Sequence, residues 1–146
     1  MKVKALLLVL GVIFAALSYF AFGKSETHVL VYKQEVCGCC DKYAEYLEEG
    51  GYSVEIVNVS NLKGIYEKHG VPRKLWSCHV SYIGNYFVVG HVPREVFDRL
   101  LGEKPEIDGI SLPGMPTGSP GMPGLKKGNF RIYSITNGEV RTFAEI

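Results

Sequence analysis

At 146 residues, with 47% hydrophobic and 21% charged side chains, the chain suits one globular domain and excludes a disordered or fibrous segment. Setting aside residues 1–24 removes Lys2, Lys4 and Lys24 and leaves thirteen basic against fifteen acidic side chains, a formal charge of −2. That sign is wrong for a nucleic-acid groove, so no nucleic acid is expected among the partners.

Met1-Lys2-Val3-Lys4 leads into a charge-free, largely apolar run from Ala5 to Phe22, followed by Gly23-Lys24. The run is long enough for a signal peptide or an N-terminal membrane anchor, and the lysines ahead of it keep the N-terminus in the cytoplasm. Residues 1–24 are therefore assigned to one of these two roles. Residues 25–146 form an exported, periplasmic or otherwise extracytoplasmic domain that meets the membrane only through residues 5–22. Such a compartment tolerates disulfides, so cysteines kept there carry a role.

His28 to Tyr32 is a β-branched and apolar run that predicts a strand, and the cluster Val36-Cys37-Gly38-Cys39-Cys40-Asp41 follows it. From Cys40 the period changes. Cys40, Tyr43, Ala44 and Leu47 fall at helical spacing, with Lys42, Glu45, Glu48 and Glu49 on the other face and Gly50-Gly51 as the stop. Ser53 to Val59 predicts a second strand, and Asn61 to His69 a short helix capped by Ser60. Two apolar runs, Cys78 to Ile83 and Tyr86 to His91, are separated by Gly84-Asn85, the signal of a tight type II′ hairpin. A last helix begins near Pro93 and shows Val96, Phe97, Leu100 and Leu101 on one face. The order β-α-β-α-β-β-α matches an α/β, thioredoxin-like fold with its site at the turn between the first strand and the first helix.

Pro113-Gly114-Met115-Pro116 recurs as Pro120-Gly121-Met122-Pro123, a composition that neither a helix nor a central strand tolerates. Residues 113–124 are expected to be a loop that returns over another part of the domain. Asn129 to Ile135 and Glu139 to Phe143 flank Thr136-Asn137-Gly138, a hairpin signal that makes residues 125–146 a C-terminal ribbon docked on the domain.

Three of the four cysteines crowd into one turn, where a disulfide staple, a redox dithiol and a soft-metal site compete. A Cys37 thiolate near the free N–H groups of a helix start is stabilised, which lowers its pKa below the free value of about 8.5. Cys40 shares the apolar stripe and is the more buried partner, so Cys37 and Cys40 have the arrangement of a dithiol that opens and closes. Cys39 does not fit a plain oxidoreductase. A disulfide between neighbours or across one residue is strained, so a metal that wants several thiolates explains it better, and soft thiolate and thioether ligands favour Cu(I).

Counting outward from Gly84-Asn85 places Cys78 opposite His91 on one face. In a thioredoxin-like fold that pair approaches Cys37 and its neighbours. By alternation His79 points to the face opposite Cys78. His28 and His69 read as an ordinary strand-start and helix-end residue, and Trp76 as core or lid. Met115 and Met122 either plug a surface groove or cap the site as thioethers.

The stretches VYKQEVCGCCDKY, GVPRKLWSCHVSYIGNYFVVGHVP and LPGMPTGSPGM resemble the CopG-like copper-resistance proteins, long catalogued as a domain of unknown function and unrelated to the DNA-binding repressors of that name. The resemblance runs from about Val29 to Met122. It implies an exported thioredoxin-like protein that binds copper through clustered cysteines and handles it as an oxidoreductase. Cys37, Cys39, Cys40 and Cys78 match the family's thiols, and His91, Met115 and Met122 match further motif positions. Val80 stands where the family often has threonine and Val89 where it often has an acidic residue, which removes polar groups expected beside the site.

The leading expectation is a Cu(I)-binding protein of copper homeostasis in which Cys37 and Cys40 also do redox work, with copper ions and copper-transport or electron-donor proteins as partners. A sequestration or chaperone module without turnover uses the same ligands. A general thiol-disulfide oxidoreductase leaves Cys39 and the Met-Pro loop without a purpose. Zinc is the less favoured metal, since Cys₃His is a legitimate zinc set.

Overall fold

The structure is a computed structural model and describes residues 27–146, so the expected signal peptide or anchor lies outside the described residues. Among the described residues, no helix is long and apolar enough to cross a membrane. Strands β1 (Thr27–Gln34), β2 (Tyr52–Val59), β3 (His79–Ile83), β4 (Tyr86–Val89), β5 (Gly109–Ser111), β6 (Arg131–Thr136) and β7 (Glu139–Glu145) form one mixed sheet in the order β2-β1-β3-β4-β5-β6-β7. Helices α1 (Gly38–Glu49), α2 (Lys63–Lys68) and α3 (Arg94–Glu103) and a 3₁₀ turn at Arg73–Leu75 connect them.

β1 and β2 run parallel in register from Thr27↔Tyr52 to Gln34↔Val59, with α1 as the crossover. β3 pairs antiparallel on the other side of β1, which puts β1 in the interior of the sheet and the cysteine turn at its C-terminal end. The stripe predicted for α1 is the face it buries: Cys40, Tyr43, Ala44 and Leu47. Fully burying a side chain of this size stabilises the fold by about 1.5–3 kcal/mol, so these positions dock the helix however its other face is composed. Tyr43 and Leu47 join Val29, Val31, Ile83, Val88, Phe97 and Leu100 in one core cluster. Leu62, Tyr66, Leu75, Val80, Phe87, Val89 and Ile135 form a second, which also packs Trp76. Trp76 stacks on Tyr66 with ring centroids 4.7 Å apart and donates its indole N–H to the Val71 carbonyl at 2.8 Å. It packs, half-buried, against this second cluster.

The hairpin register follows from the turn. Gly84 takes φ +57°, a conformation open to glycine at the first central position of a type II′ turn, and Ile83 pairs with Tyr86. Two boundaries differ from the sequence expectation. The short helix starts at Lys63 with Leu62, not Ser60, at its N-cap, and Asn61 Oδ1 accepts the Lys63 N–H at 3.2 Å. β5 is a strand of three buried residues, too short for a periodicity signal. The C-terminal hairpin, turned at Asn137 (φ +50°) and Gly138 (φ +81°), is a two-stranded ribbon that joins the domain by pairing with β5 at the edge of the main sheet.

Candidate metal centre

Cys37 is the N-cap of α1, and its carbonyl accepts the Cys40 and Asp41 N–H groups at 3.0 and 3.3 Å. Those two bonds fold the turn so that Cys37 and Cys40 face each other, and their sulfurs are joined in a disulfide. Cys37 is half-buried and Cys40 fully buried, the expected order. Cys39 carries a free thiol 3.5 Å from the Cys37 sulfur.

Cys78 lies in a bend just ahead of β3 and His91 just past a glycine, Gly90, whose φ is +80°. The ladder closes over them through the Gly90 N–H to His79 carbonyl bond at 3.2 Å, and Cys78 Sγ sits 3.0 Å from His91 Nε2. The predicted pair is formed. It also reaches the helix: the ligand atoms of Cys37, Cys39, Cys40 and Cys78 all lie within 4.8 Å of one another, and so do those of Cys40, Cys78, His79 and His91.

His79 is a correction. Alternation assigned it to the face away from Cys78, yet its Nδ1 is 3.4 Å from Cys78 Sγ. The bend at Cys78 interrupts the pleat, so strict alternation does not extend across that residue. Val80 and Val89 are a second correction. They pair with each other and belong to the core cluster on the other face, so their apolar side chains remove no polar group from the neighbourhood of the sulfurs.

His91 is fully buried, and its Nδ1–H donates to the Pro120 carbonyl at 2.7 Å. That bond fixes the tautomer and leaves the Nε2 lone pair toward Cys78, whose thiol donates to it. Burial lowers the pKa of His91 and lowers that of His79 to about 3, so both rings are neutral near pH 7. Burial, with the Cys39 sulfur nearby, pushes the Cys78 thiol up to about 12. A cation at the cluster reverses that balance by stabilising the thiolate.

Both PGMP tetrapeptides close the site. The Ser77 hydroxyl, beside Cys78, donates to the Gly114 carbonyl at 2.6 Å, and the Gly114 N–H bonds Trp76 O at 3.4 Å. Pro120 anchors His91, while Gly121 packs so tightly on the first turn of α1 that a Cβ there would lie 2.7 Å from the Cys39 carbonyl. The loop thus returns over the cysteines. Met115 is 51% exposed and Met122 half-buried within this loop.

Two framing residues were missed by the sequence expectation. Tyr43 counted only as helix stripe, but its ring packs on His79 and His91 at 4.6 and 5.2 Å while its hydroxyl donates to the Val92 carbonyl at 2.7 Å. Lys33, 4% exposed, holds Asp41 in the first turn of α1 at 3.0 Å and the Glu35 carbonyl at 3.2 Å. Its signal was available: it continues the inward phase of Val29 and Val31. His28 and His69 stay apart from the sulfurs. His28 pairs with Glu55 at 3.5 Å, and His69 bonds the Tyr82 hydroxyl at 2.8 Å beside a cleft of about 560 Å³ that no cysteine lines.

The donor set is thiol and imidazole. Cys39 and Cys78 are free, His91 presents a lone pair, and reduction of one bond adds two more thiolates, so the residues fit a soft or borderline metal better than a hard ion.

Residues 75–122 match the family model described as "Protein of unknown function, DUF411". No curated protein matches the chain. Two solved structures, described as "Copper resistance protein copG- Form 1" and "Copper resistance protein copG- Form 2", are similar at 31% identity and a TM-score of 0.76. Each likeness spans 84% of this chain, and 98% and 99% of the respective structures. With that identity sustained over 84% of this chain and nearly all of each structure, the chain belongs to the CopG family of copper resistance proteins.

Proposed function

We propose that this protein binds Cu(I) through Cys37, Cys39, Cys40 and Cys78, and that the Cys37/Cys40 pair exchanges electrons with copper. One observation carries the reading: thiols from two separated parts of the chain converge within 4.8 Å at the mouth of α1, and two of them are joined in a disulfide. Metal capacity and oxidation state are therefore coupled, because a sulfur in the S–S bond is no thiolate ligand. In the oxidising direction, two Cu(II) ions each take one electron from the Cys37/Cys40 dithiol, the disulfide forms, and two protons leave with two Cu(I) ions as product. In the other direction a thiol-bearing electron donor supplies two electrons, and two protons restore the dithiol. Cys37, the more accessible sulfur, meets the donor, and buried Cys40 is the resolving partner.

The sheet order β2-β1-β3-β4, the parallel β1-α1-β2 crossover and the cysteines at the first strand-to-helix turn support a thioredoxin-like core. The basic, then apolar, N-terminal segment supports export, with residues 1–24 cleaved as a signal or kept as an anchor. His91 adds an imidazole donor. Met115 and Met122 ride on the loop that closes the site, where a thioether is a compatible soft ligand.

The test is an anaerobic Cu(I) titration of the fully reduced protein against a chromophoric chelator, followed by assays of Cu(II) and disulfide reduction. Chelator-resistant binding with reduction of Cu(II) is expected. Binding without turnover would leave a sequestering module, and zinc retained against excess Cu(I) would overturn the metal assignment. Cys39→Ser should weaken copper binding markedly, whereas a general thiol-disulfide oxidoreductase would keep its activity.

A further inference from the structure

Some donors at this site do not depend on the bond between Cys37 and Cys40. Cys78 Sγ lies 3.0 Å from His91 Nε2 and 3.4 Å from His79 Nδ1. Cys39, the other free thiol, lies with Cys78 in the sulfur cluster but outside the group that Cys78 forms with the two histidines. Metal-binding histidines commonly donate their second N–H to a carbonyl, which fixes the ring and raises its basicity. Pro120 does this for His91 at 2.7 Å. The rings are also held by packing, since His79 and His91 are both fully buried, 4.8 Å apart between centroids, and both contact Tyr43.

Distances agree with a small metal site. In tetrahedral zinc sites the metal lies about 2.3 Å from sulfur and about 2.0 Å from nitrogen, which separates S from N by roughly 3.6 Å. The two S–N separations here fall short of that by only tenths of an ångström, so rotamer adjustment of Cys78 opens the space.

We propose that Cys78, His79 and His91 form a second metal subsite, with solvent in the fourth position, that stays open while Cys37 and Cys40 are joined. Its ligand is a single divalent cation of borderline softness, of the Zn(II) type, because a mixed thiolate and imidazole set suits such an ion whereas an all-thiolate set favours Cu(I). The inference rests on the cluster being a metal site and adds that closing the disulfide changes the donor set without emptying it. Cys78 belongs to both sets, so the two modes of binding exclude each other at that sulfur.

The experiment uses Co(II) as a spectroscopic probe on two full-length proteins: the disulfide-closed chain, verified to retain two titratable thiols, and the Cys37→Ser/Cys40→Ser double variant. Both are expected to take one equivalent of Co(II), with intense four-coordinate ligand-field bands and thiolate charge transfer, and to release it to Zn(II). Adding His91→Ala or Cys78→Ser to the double variant should weaken binding by roughly tenfold or more. The inference is overturned if the disulfide-closed chain takes up no Co(II), or if His91→Ala leaves the bands and affinity of the double variant unchanged. Cu(I) titration of the reduced wild type separates the two readings. Cu(I) binding without Co(II) binding refutes this inference alone, and Co(II) binding without Cu(I) binding refutes the proposed function alone.

Discussion

Gly121→Ala tests whether the Met-Pro loop holds the site together. Gly121 has φ +77°, which costs an alanine about 1–2 kcal/mol. The new Cβ would lie 2.7 Å from the Cys39 carbonyl oxygen and 2.8 Å from the Tyr43 nitrogen, against 3.4 Å for ordinary contact. Both neighbours are backbone atoms of α1 and cannot rotate away, so the loop must lift. Pro120 then leaves His91 Nδ1, and a buried N–H without its partner costs about 1–3 kcal/mol. The two effects together amount to roughly 2–5 kcal/mol, a large share of the usual 5–15 kcal/mol for a domain.

Gly114→Ala is the internal control, because that residue also has a positive φ, +70°, yet an added Cβ meets nothing within 4 Å. It should carry the conformational cost alone. Thermal unfolding of the reduced, metal-free proteins followed by circular dichroism should lower the midpoint about twice as far for Gly121→Ala as for Gly114→Ala. Co(II) affinity of the disulfide-closed form should fall by about 10–100-fold for Gly121→Ala only, through the lost support of His91. Equal midpoints and equal affinities for the two variants would refute the claim that the loop is seated on α1 and positions that imidazole.

Acid should destabilise the metal-free protein over a defined window. Above pH 6.5 His79 is neutral in both states. Between 6.5 and about 3 the unfolded chain binds a proton that the folded chain refuses, so stability falls as pH falls and levels off below that range. Urea unfolding from pH 7 to pH 4 should show this slope, and a flat profile would contradict the burial of a neutral His79. Lys33 and Asp41 should behave unequally in the same assay. Asp41→Ala leaves a buried ammonium without its anion and should cost about 2–4 kcal/mol, whereas Lys33→Met removes the charge and should stay within about 1 kcal/mol of wild type. Trp76 is the sole tryptophan and stands two residues from Cys78, so its fluorescence should be quenched as Cu(I) fills the cluster. An unchanged spectrum at saturating copper would place the metal elsewhere.

Local chemistry made much of this site legible before the structure. The Gly84-Asn85 turn set the register that brings Cys78 to His91, since a two-residue type II′ link leaves little freedom in pairing. The stripe of Cys40, Tyr43, Ala44 and Leu47 identified the buried face of α1. What stayed hidden depended on irregular backbone or on very short elements. The bend at Cys78 brings its sulfur round to the face that His79 occupies in regular β3, and no periodicity predicts a bend. β5 has three residues, so the continuation of the sheet into β6 and β7 left no pattern to detect. The cysteine spacing left staple, dithiol and metal site open, and the structure pairs Cys37 with Cys40 while leaving Cys39 and Cys78 free.

The two halves of the centre are built to different tolerances. The downstream half, within the family-matched residues 75–122, fixes Cys78, His79 and His91 by burial, a carbonyl bond and a loop tied down at both ends. The upstream half is open: Val36 is 98% exposed, and a Cβ on Gly38 would touch nothing within 4 Å. An exposed apolar side chain therefore stands beside the accessible sulfur, apart from the buried imidazoles. On the proposed copper reading, an incoming ion would meet the Val36–Cys39 turn first and Cys78 with the buried His91 behind it.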